Sequence, residues 1–299
     1  MAGATRAARR LTASALRLRA SGGPLHVPGL LAHLGPRAVP GVEEMRGTTY
    51  RRVLRLPGGN GVAAISLTPA GARGTLALED PADRGAAREA LRGLLALDAD
   101  AVPADAVLAA DPALAPLVAA APGARVPGAA DPAELAIRAV IGQQISVVAA
   151  RTAAAGLAAG IGRPLPQPDG TLTHAFPSPE AIADAPDELL RMPGARRHAI
   201  RTLAAELASG DLDVRRGTDP ARLRAELLAL PGIGPWTAEY VAMRAAGDPD
   251  AFPASDLGLL RAAAALGLPS DPRGLTAHAE RWRPFRAYGA QRLWAFRPL

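Results

Sequence analysis

The string Leu230-Pro231-Gly232-Ile233-Gly234-Pro235-Trp236-Thr237-Ala238 combines residues that can hold an anion with residues that can stack on a ring. Two glycines around one apolar residue let a backbone turn tightly with its amides facing outward. Pro235 suits a first helical position, which needs no amide donor. The pattern therefore predicts a helix over Leu223–Leu230, a short turn, and a second helix over Trp236–Ala246. Outward amides beside the positive end of a helix form an anion site suited to a phosphate. A bare Gly-x-Gly would be only a corner between helices; the longer string is far more specific.

Downstream, Asp256 follows Pro253 and Ser255 and precedes an apolar run, Leu257 to Leu266, closed by Gly267. This places the carboxylate at a helix N-terminus, where the dipole and free amides suit it. On spacing alone such an Asp is usually just an ordinary helix cap. Trp236 and Tyr240 lie four apart and share a helix face. Of the ten aromatic residues, eight (Trp236, Tyr240, Phe252, Trp282, Phe285, Tyr288, Trp294 and Phe296) fall in the last 64 positions. Flat side chains gathered this way make either a local aromatic core or a pocket for a planar ligand.

Composition narrows the chemistry. The 299 residues include no cysteine and no lysine, so all 34 Lys+Arg positions are arginine. Disulfides, thiolate metal sites, cysteine-ligated iron–sulfur clusters, lysine Schiff bases and P-loops are excluded. The net charge of +6 is uneven: residues 1–55 balance at +8, residues 273–299 at +5 and the middle at −7. Basic ends fit a polyanion contacted along one face, or else a solvated surface. No apolar run approaches the roughly 20 residues of a membrane span. The stretch Met1 to Ala20 carries Arg6, Arg9, Arg10, Arg17 and Arg19 without an apolar segment behind it, which reads as a basic start to the first domain rather than a signal.

The elements that must position these residues fall into two groups. From about Thr12 to Asp80 the pattern alternates as strands do, with a turn at Gly58–Gly61 and a short helix at Gly29–Leu34. Helical periodicity follows from Ala87 to Leu97 and from Asp131 to Ala158. Gly162–Gly170 and Asp248–Ala254 read as loops, and no strand is expected after residue 98. The expected fold is an α+β N-terminal domain (1–97) followed by an all-α domain (98–299).

The nine-residue string with Phe252-Pro253-Ala254-Ser255-Asp256-Leu257 resembles the helix–hairpin–helix DNA glycosylase superfamily. Val140-Ile141-Gly142-Gln143-Gln144-Ile145-Ser146, Glu280 to Tyr288 and the strand-rich start look like its 3-methyladenine-DNA glycosylase II (AlkA-like) branch, over nearly the whole chain. The resemblance implies a monofunctional base-excision enzyme that releases alkylated (3-methyl or 7-methyl) purines from double-stranded DNA. Asp256 would be the catalytic carboxylate, stabilising positive charge on the deoxyribose. Trp236, Tyr240 and Trp294 would line the pocket of the flipped base, where indole faces attract a cationic base by ~0.5–2 kcal/mol. Gly232, Ile233, Gly234 and Thr237 would contact DNA, and Gln144 would fill the gap left by the flipped base, although a helix-packing role for Gln144 stays open. Met192 to Arg197 echoes the hairpin. Lyase-competent relatives carry a lysine where Trp236 stands, so strand cleavage is not expected. No cofactor is required, and the carbonyls of Leu228, Leu230 and Ile233 would be ligands for a structural monovalent cation (Na or K). The protein would be monomeric and cytoplasmic in a bacterium, associated with the nucleoid, with no membrane partner. Aromatics common in relatives are replaced around Pro24–Leu30, leaving the N-terminal domain no expected role beyond support. The alternative, from another class, is a non-catalytic helix–hairpin–helix DNA-binding or damage-sensing protein.

Overall fold

The computed structural model describes residues 10–296, so Arg6 and Arg9 of the basic start lie outside it. Strand β1 (Thr12–Arg19) alternates as its sequence does, with Leu16 and Leu18 buried between exposed Arg17 and Arg19. It pairs with β5 (Gly71–Leu78) in a five-stranded antiparallel sheet of order β1-β5-β4-β3-β2, completed by β2 (Glu43–Arg46), β3 (Thr49–Leu56) and β4 (Gly59–Thr68). One sheet face packs on α1 (Val27–Arg37) and α2 (Arg84–Leu94) through Leu30, Leu34, Tyr50, Ile65, Leu76 and Leu91.

The opposite face corrects the expectation that no strand follows residue 98. Val53 and Val62, paired across β3 and β4, bury against Leu165 and Leu172 of a small hairpin, β6 (Pro164–Asp169) and β7 (Leu172–His174), and against Ala175 just after it. The region predicted as a loop is therefore a strand pair docked on the first sheet. Pro164, Pro166 and Pro168 obscured it, because each removes a ladder donor and proline is tolerated only at edges and irregularities. Only the ends of the hairpin pair in register, Pro164 with His174 and Asp169 with Leu172.

The helices α3 (Val102–Ala109), α4 (Ala115–Ala120), α5 (Pro132–Ile141), α6 (Val147–Ile161), α7 (Pro179–Ala183), α8 (Gly194–Ser209), α9 (Pro220–Ala229), α10 (Pro235–Val241), α11 (Leu257–Ala265), α12 (Pro272–Ala279) and α13 (Arg286–Ala295) enclose a second core. The periodic run read from Asp131 to Ala158 is split. Gln144, at φ +57°, turns the chain between α5 and α6, and Ser146 restarts the helix by accepting from the Ala149 amide at 3.1 Å. The predicted Trp236–Ala246 helix is α10 followed by a π-helical turn over Ala242–Ala246. Trp282 is fully buried and donates to Asp111 Oδ2 at 2.8 Å, so it is core.

Four charges, buried Glu43, Arg52 and Glu134 and half-buried Arg138, tie the sheet to α5. Arg52 reaches Glu43 at 3.2 Å and Glu134 at 2.8 Å, and Arg138 reaches the same two carboxylates at 3.1 and 2.7 Å. The Tyr50 hydroxyl donates to Glu43 at 2.6 Å. Although burial opposes ionisation, Arg138 and Arg52 hold the Glu43 carboxyl below the usual glutamate range. The basic ends are thus partly spent in ion pairs within the chain: Arg51, Arg52 and Arg55 pair with carboxylates, as do Arg283, Arg286 and Arg292 near the other end. A uniformly basic outer face does not result. Among the described residues no helix is long and apolar enough to cross a membrane.

Candidate active site

Helices α1, α5, α10, α11 and α13 and the hairpin between α9 and α10 open onto one cleft of about 1400 Å³. Asp256 stands at its mouth as the N-cap of α11. Its Oδ1 accepts from the Leu259 amide at 3.0 Å, as a helix cap does, and also from Trp294 Nε1 at 2.9 Å. Its Oδ2 accepts from Trp236 Nε1 at 2.9 Å. Three N–H groups converge on two oxygens, a donor set that suits an acceptor-only carboxylate. A plain cap would need only the first bond. The second and third come from α13 and α10, so three separate helices fix one carboxylate.

The indoles that hold Asp256 also build the wall behind it. Trp236 stacks on Tyr240 with ring centroids 5.1 Å apart and planes at 14°, and Tyr240 meets Trp294 edge-on at 6.1 Å. All three rings are half-buried and line the cleft. Gly258 lies beneath this arrangement. A Cβ there would sit 2.9 Å from Asp256 Oδ1 and 3.5 Å from the Trp294 ring.

The hairpin has the predicted form, with Gly232 at φ +77° and a Cβ there 2.8 Å from Ala199 of α8. The Ile233 side chain is buried, and its amide closes the turn on the Leu230 carbonyl at 3.2 Å. Thr237 differs from an outward contact residue: it is buried, and its hydroxyl accepts from Gln143 Nε2 at 2.9 Å. The same Gln143 nitrogen donates to the Gly232 carbonyl at 3.0 Å, and Arg196 Nη2 holds the Gln143 carbonyl at 2.6 Å. Gln143 and Arg196 thereby clamp the hairpin against the end of α5, and the Met192–Arg197 echo supplies part of that clamp.

The sequence relationships agree with this geometry. A family model described as "AlkA N-terminal domain" matches residues 15–131. The chain is 50% identical over 271 residues to the "Probable bifunctional transcriptional activator/DNA repair enzyme AlkA" of Mycobacterium tuberculosis, covering 91% of this chain and 55% of that protein. It thus spans about half the length of that relative. It is 32% identical over 270 residues to "DNA-3-methyladenine glycosylase 2" of Escherichia coli, covering 89% of this chain and 92% of that one. The chain belongs to the DNA-3-methyladenine glycosylase II (AlkA) family. Among solved structures, "3-methyladenine dna-glycosylase from Archaeoglobus fulgidus" shares the fold, with a TM-score of 0.78 at 23% identity over 93% of this chain and 97% of that one.

In this AlkA-family chain, Gln144 lines the cleft at the turn between α5 and α6. It is exposed at the cleft rim and held in the left-handed region, flanked by exposed Ile145 and Val147. A non-glycine residue at positive φ is uncommon and marks a position the surrounding structure enforces. The N-terminal domain does more than support. Its helix α1 delivers His33 and Arg37 into the cleft, where Arg244 joins them from the π-helical turn. Arg244 Nη1 donates to the Tyr240 hydroxyl at 3.0 Å, and its other nitrogens donate to the carbonyls of Pro127 and Gly128. Against the opposing effect of burial, Arg244, Arg37 and Arg138 hold the Tyr240 phenol below its usual range. His33, Arg37, Arg244 and Gly258 were not found from sequence. The first three carry no local pattern, and only the tertiary fold brings them to the rings.

Proposed function

We propose that this chain is a monofunctional DNA glycosylase that removes alkylated purines, of the 3-methyl and 7-methyl kind, from duplex DNA and leaves an abasic site. The observation that carries the reading is Asp256 fixed by two indole N–H groups at the mouth of an aromatic-walled cleft. The Escherichia coli relative's name, a DNA-3-methyladenine glycosylase, supports the 3-methyl substrate, and the Mycobacterium tuberculosis relative's supports a role in DNA repair.

The target nucleotide leaves the stack, at a cost of a few kcal/mol, and Gln144 fills the space it vacates. The base enters the cleft and lies against Trp236, Tyr240 and Trp294, whose faces attract a cationic purine. The bond between C1′ and the base nitrogen breaks heterolytically. Its electron pair stays with the purine, so a cationic alkylpurine departs neutral and needs no proton from the protein. Positive charge develops on the deoxyribose, and the preorganised Asp256 carboxylate stabilises it without having to reorganise. Water then bonds to C1′ and its proton passes to solvent. With no lysine at position 236 or elsewhere, the phosphodiester strand stays intact.

The hairpin turn and the first-turn amides of α10 would meet backbone phosphates. A monovalent cation held by the carbonyls of Leu228, Leu230 and Ile233 would add positive charge beside such a phosphate. Leu228 and Leu230 lie at the C-terminal end of α9, where backbone carbonyls collect partial negative charge, an all-oxygen set that fits a hard cation. A monomer working in the bacterial cytoplasm fits the same reading. The test is chromatography of bases released from methylated duplex DNA, alongside strand analysis. Released alkylpurine with uncut strands is expected; binding without release would favour the non-catalytic alternative.

A further inference from the structure

The deep end of the cleft holds polarity that the proposed mechanism does not use. His33 of α1 lines the cleft, is only 7% exposed, and its buried Nε2 has no hydrogen-bond partner among the described residues. Buried polar groups are nearly always partnered, so one left open at a cleft is available to a bound group that can complete it. Burial first, and then the guanidiniums of Arg244, Arg37 and Arg138, hold its imidazole well below the usual value of 6.5. The ring is therefore neutral near pH 7, with one N–H donor and one acceptor nitrogen.

Its place follows from α10. Trp236 touches Asp256, Tyr240 lies one turn further, and Arg244, bonded to the Tyr240 hydroxyl, lies a further turn on. Each turn advances about 5.4 Å, so Arg244 stands at the end of the cleft remote from Asp256, and His33, which lines the same cleft and feels the Arg244 guanidinium, stands beside it. A purine whose glycosidic nitrogen is at Asp256 turns the opposite edge of its six-membered ring, with the substituent at C6, toward that end. The surroundings there are cationic. Arg244 is 4% exposed and bonds only carbonyls and a phenol in the interactions described, with no carboxylate in ion-pair distance among the described residues. Such a floor favours an electron-rich oxygen over an amino group.

Resting on the glycosylase reading above, we propose that His33 is a specificity-determining residue: its Nε2–H donates to the carbonyl oxygen at C6 of a flipped purine, so that this contact shifts the pocket's selectivity toward 6-keto relative to 6-amino purines. Sites built around a hydrogen bond reject the analogue that cannot make it far more strongly than apolar pockets do, because the site's own group is left unpaired.

The experiment compares single-turnover release of 7-methylguanine, a 6-keto base, and 3-methyladenine, a 6-amino base, from otherwise identical duplexes. His33→Phe should lower the ratio of the two rates by about tenfold or more relative to wild type. His33→Gln, which keeps an N–H near the Nε2 position, should stay within roughly threefold of wild type. A merely structural role would slow both bases together and leave the ratio in place. Should the Phe variant fail to fold, His33→Met serves as the donor-free member of the pair. A ratio in the donor-free variant within about threefold of wild type overturns the inference, as does a shift equal in the Gln variant. Wild-type protein that releases neither base overturns the glycosylase reading and this inference with it; release of both with an unmoved ratio overturns this inference alone.

Discussion

Asp256 has two oxygens and three donors, and this sets what each substitution around it should do. Replacing Trp294 by Phe keeps a ring but removes the N–H that reaches Oδ1. Hydrogen bonds to charged groups contribute about 1.5–3 kcal/mol, so Trp294→Phe should slow base release roughly ten- to a hundredfold with little change in melting temperature. Trp236→Phe should behave similarly through Oδ2. If both variants kept wild-type single-turnover rates, the indoles would be wall and not clamp. Gly258→Ala tests the same carboxylate from below: the new Cβ must displace Asp256 Oδ1, 2.9 Å away, and crowd Trp294. A displacement of an ångström at the reacting centre costs on the order of a hundredfold, so a fall of about that size in single-turnover rate is expected for a variant that still folds. At this scale the sequence told much. Asp256 was legible as a helix cap, and Trp236 and Tyr240 as neighbours on one face, because both signals are local. That the two indoles donate to the carboxylate was not, because α10, α11 and α13 meet only in the fold.

The hairpin is the element on which the sequence spoke most clearly, since its glycines answer a backbone requirement. Gly232 is needed twice, for φ +77° and for the close approach of Ala199. A left-handed conformation costs a residue with a Cβ about 1–2 kcal/mol, and the contact adds to it. Gly232→Ala should therefore lower stability by at least about 1 kcal/mol, read as a reduced denaturation midpoint; an unchanged midpoint would show that the turn relaxes freely. The β6–β7 hairpin was the opposite case. Its three prolines carry the composition of a loop, and the sheet that gives Leu165 and Leu172 their burial lies about a hundred residues earlier in the chain. Period-two patterning is faint where prolines occupy alternate positions, so only tertiary packing reveals the strands.

For the molecule as a whole, the two cores are joined by charge as well as by apolar contact. Glu43, Arg52 and Glu134, buried, and the half-buried Arg138 balance one another. Removing one partner leaves a buried charge uncompensated, at about 3–5 kcal/mol, so Arg52→Met should destabilise the chain by that order in a denaturant titration. Because Glu43 titrates lower folded than unfolded, its contribution is complete above the usual value of 4.5 and is lost as pH falls through the folded value. Thermal stability should thus decline on acidification below about pH 4.5 and do so less steeply in Arg52→Met; identical pH profiles would remove the network from the account. The charge pattern read from sequence located the arginines correctly but not their partners, which come from distant parts of the chain. The helix α1 shows the same limit, reaching from the first core into the cleft through His33 and Arg37.

All of this turns on whether the Asp256 carboxylate performs the chemistry. Single-turnover release of alkylpurine from methylated duplex DNA, compared between wild type and Asp256→Asn, measures it directly. The amide offers one acceptor oxygen to three donors and no charge to the sugar, so release should fall by about a hundredfold or more while DNA binding persists. Release by the Asn variant at the wild-type rate would contradict the account.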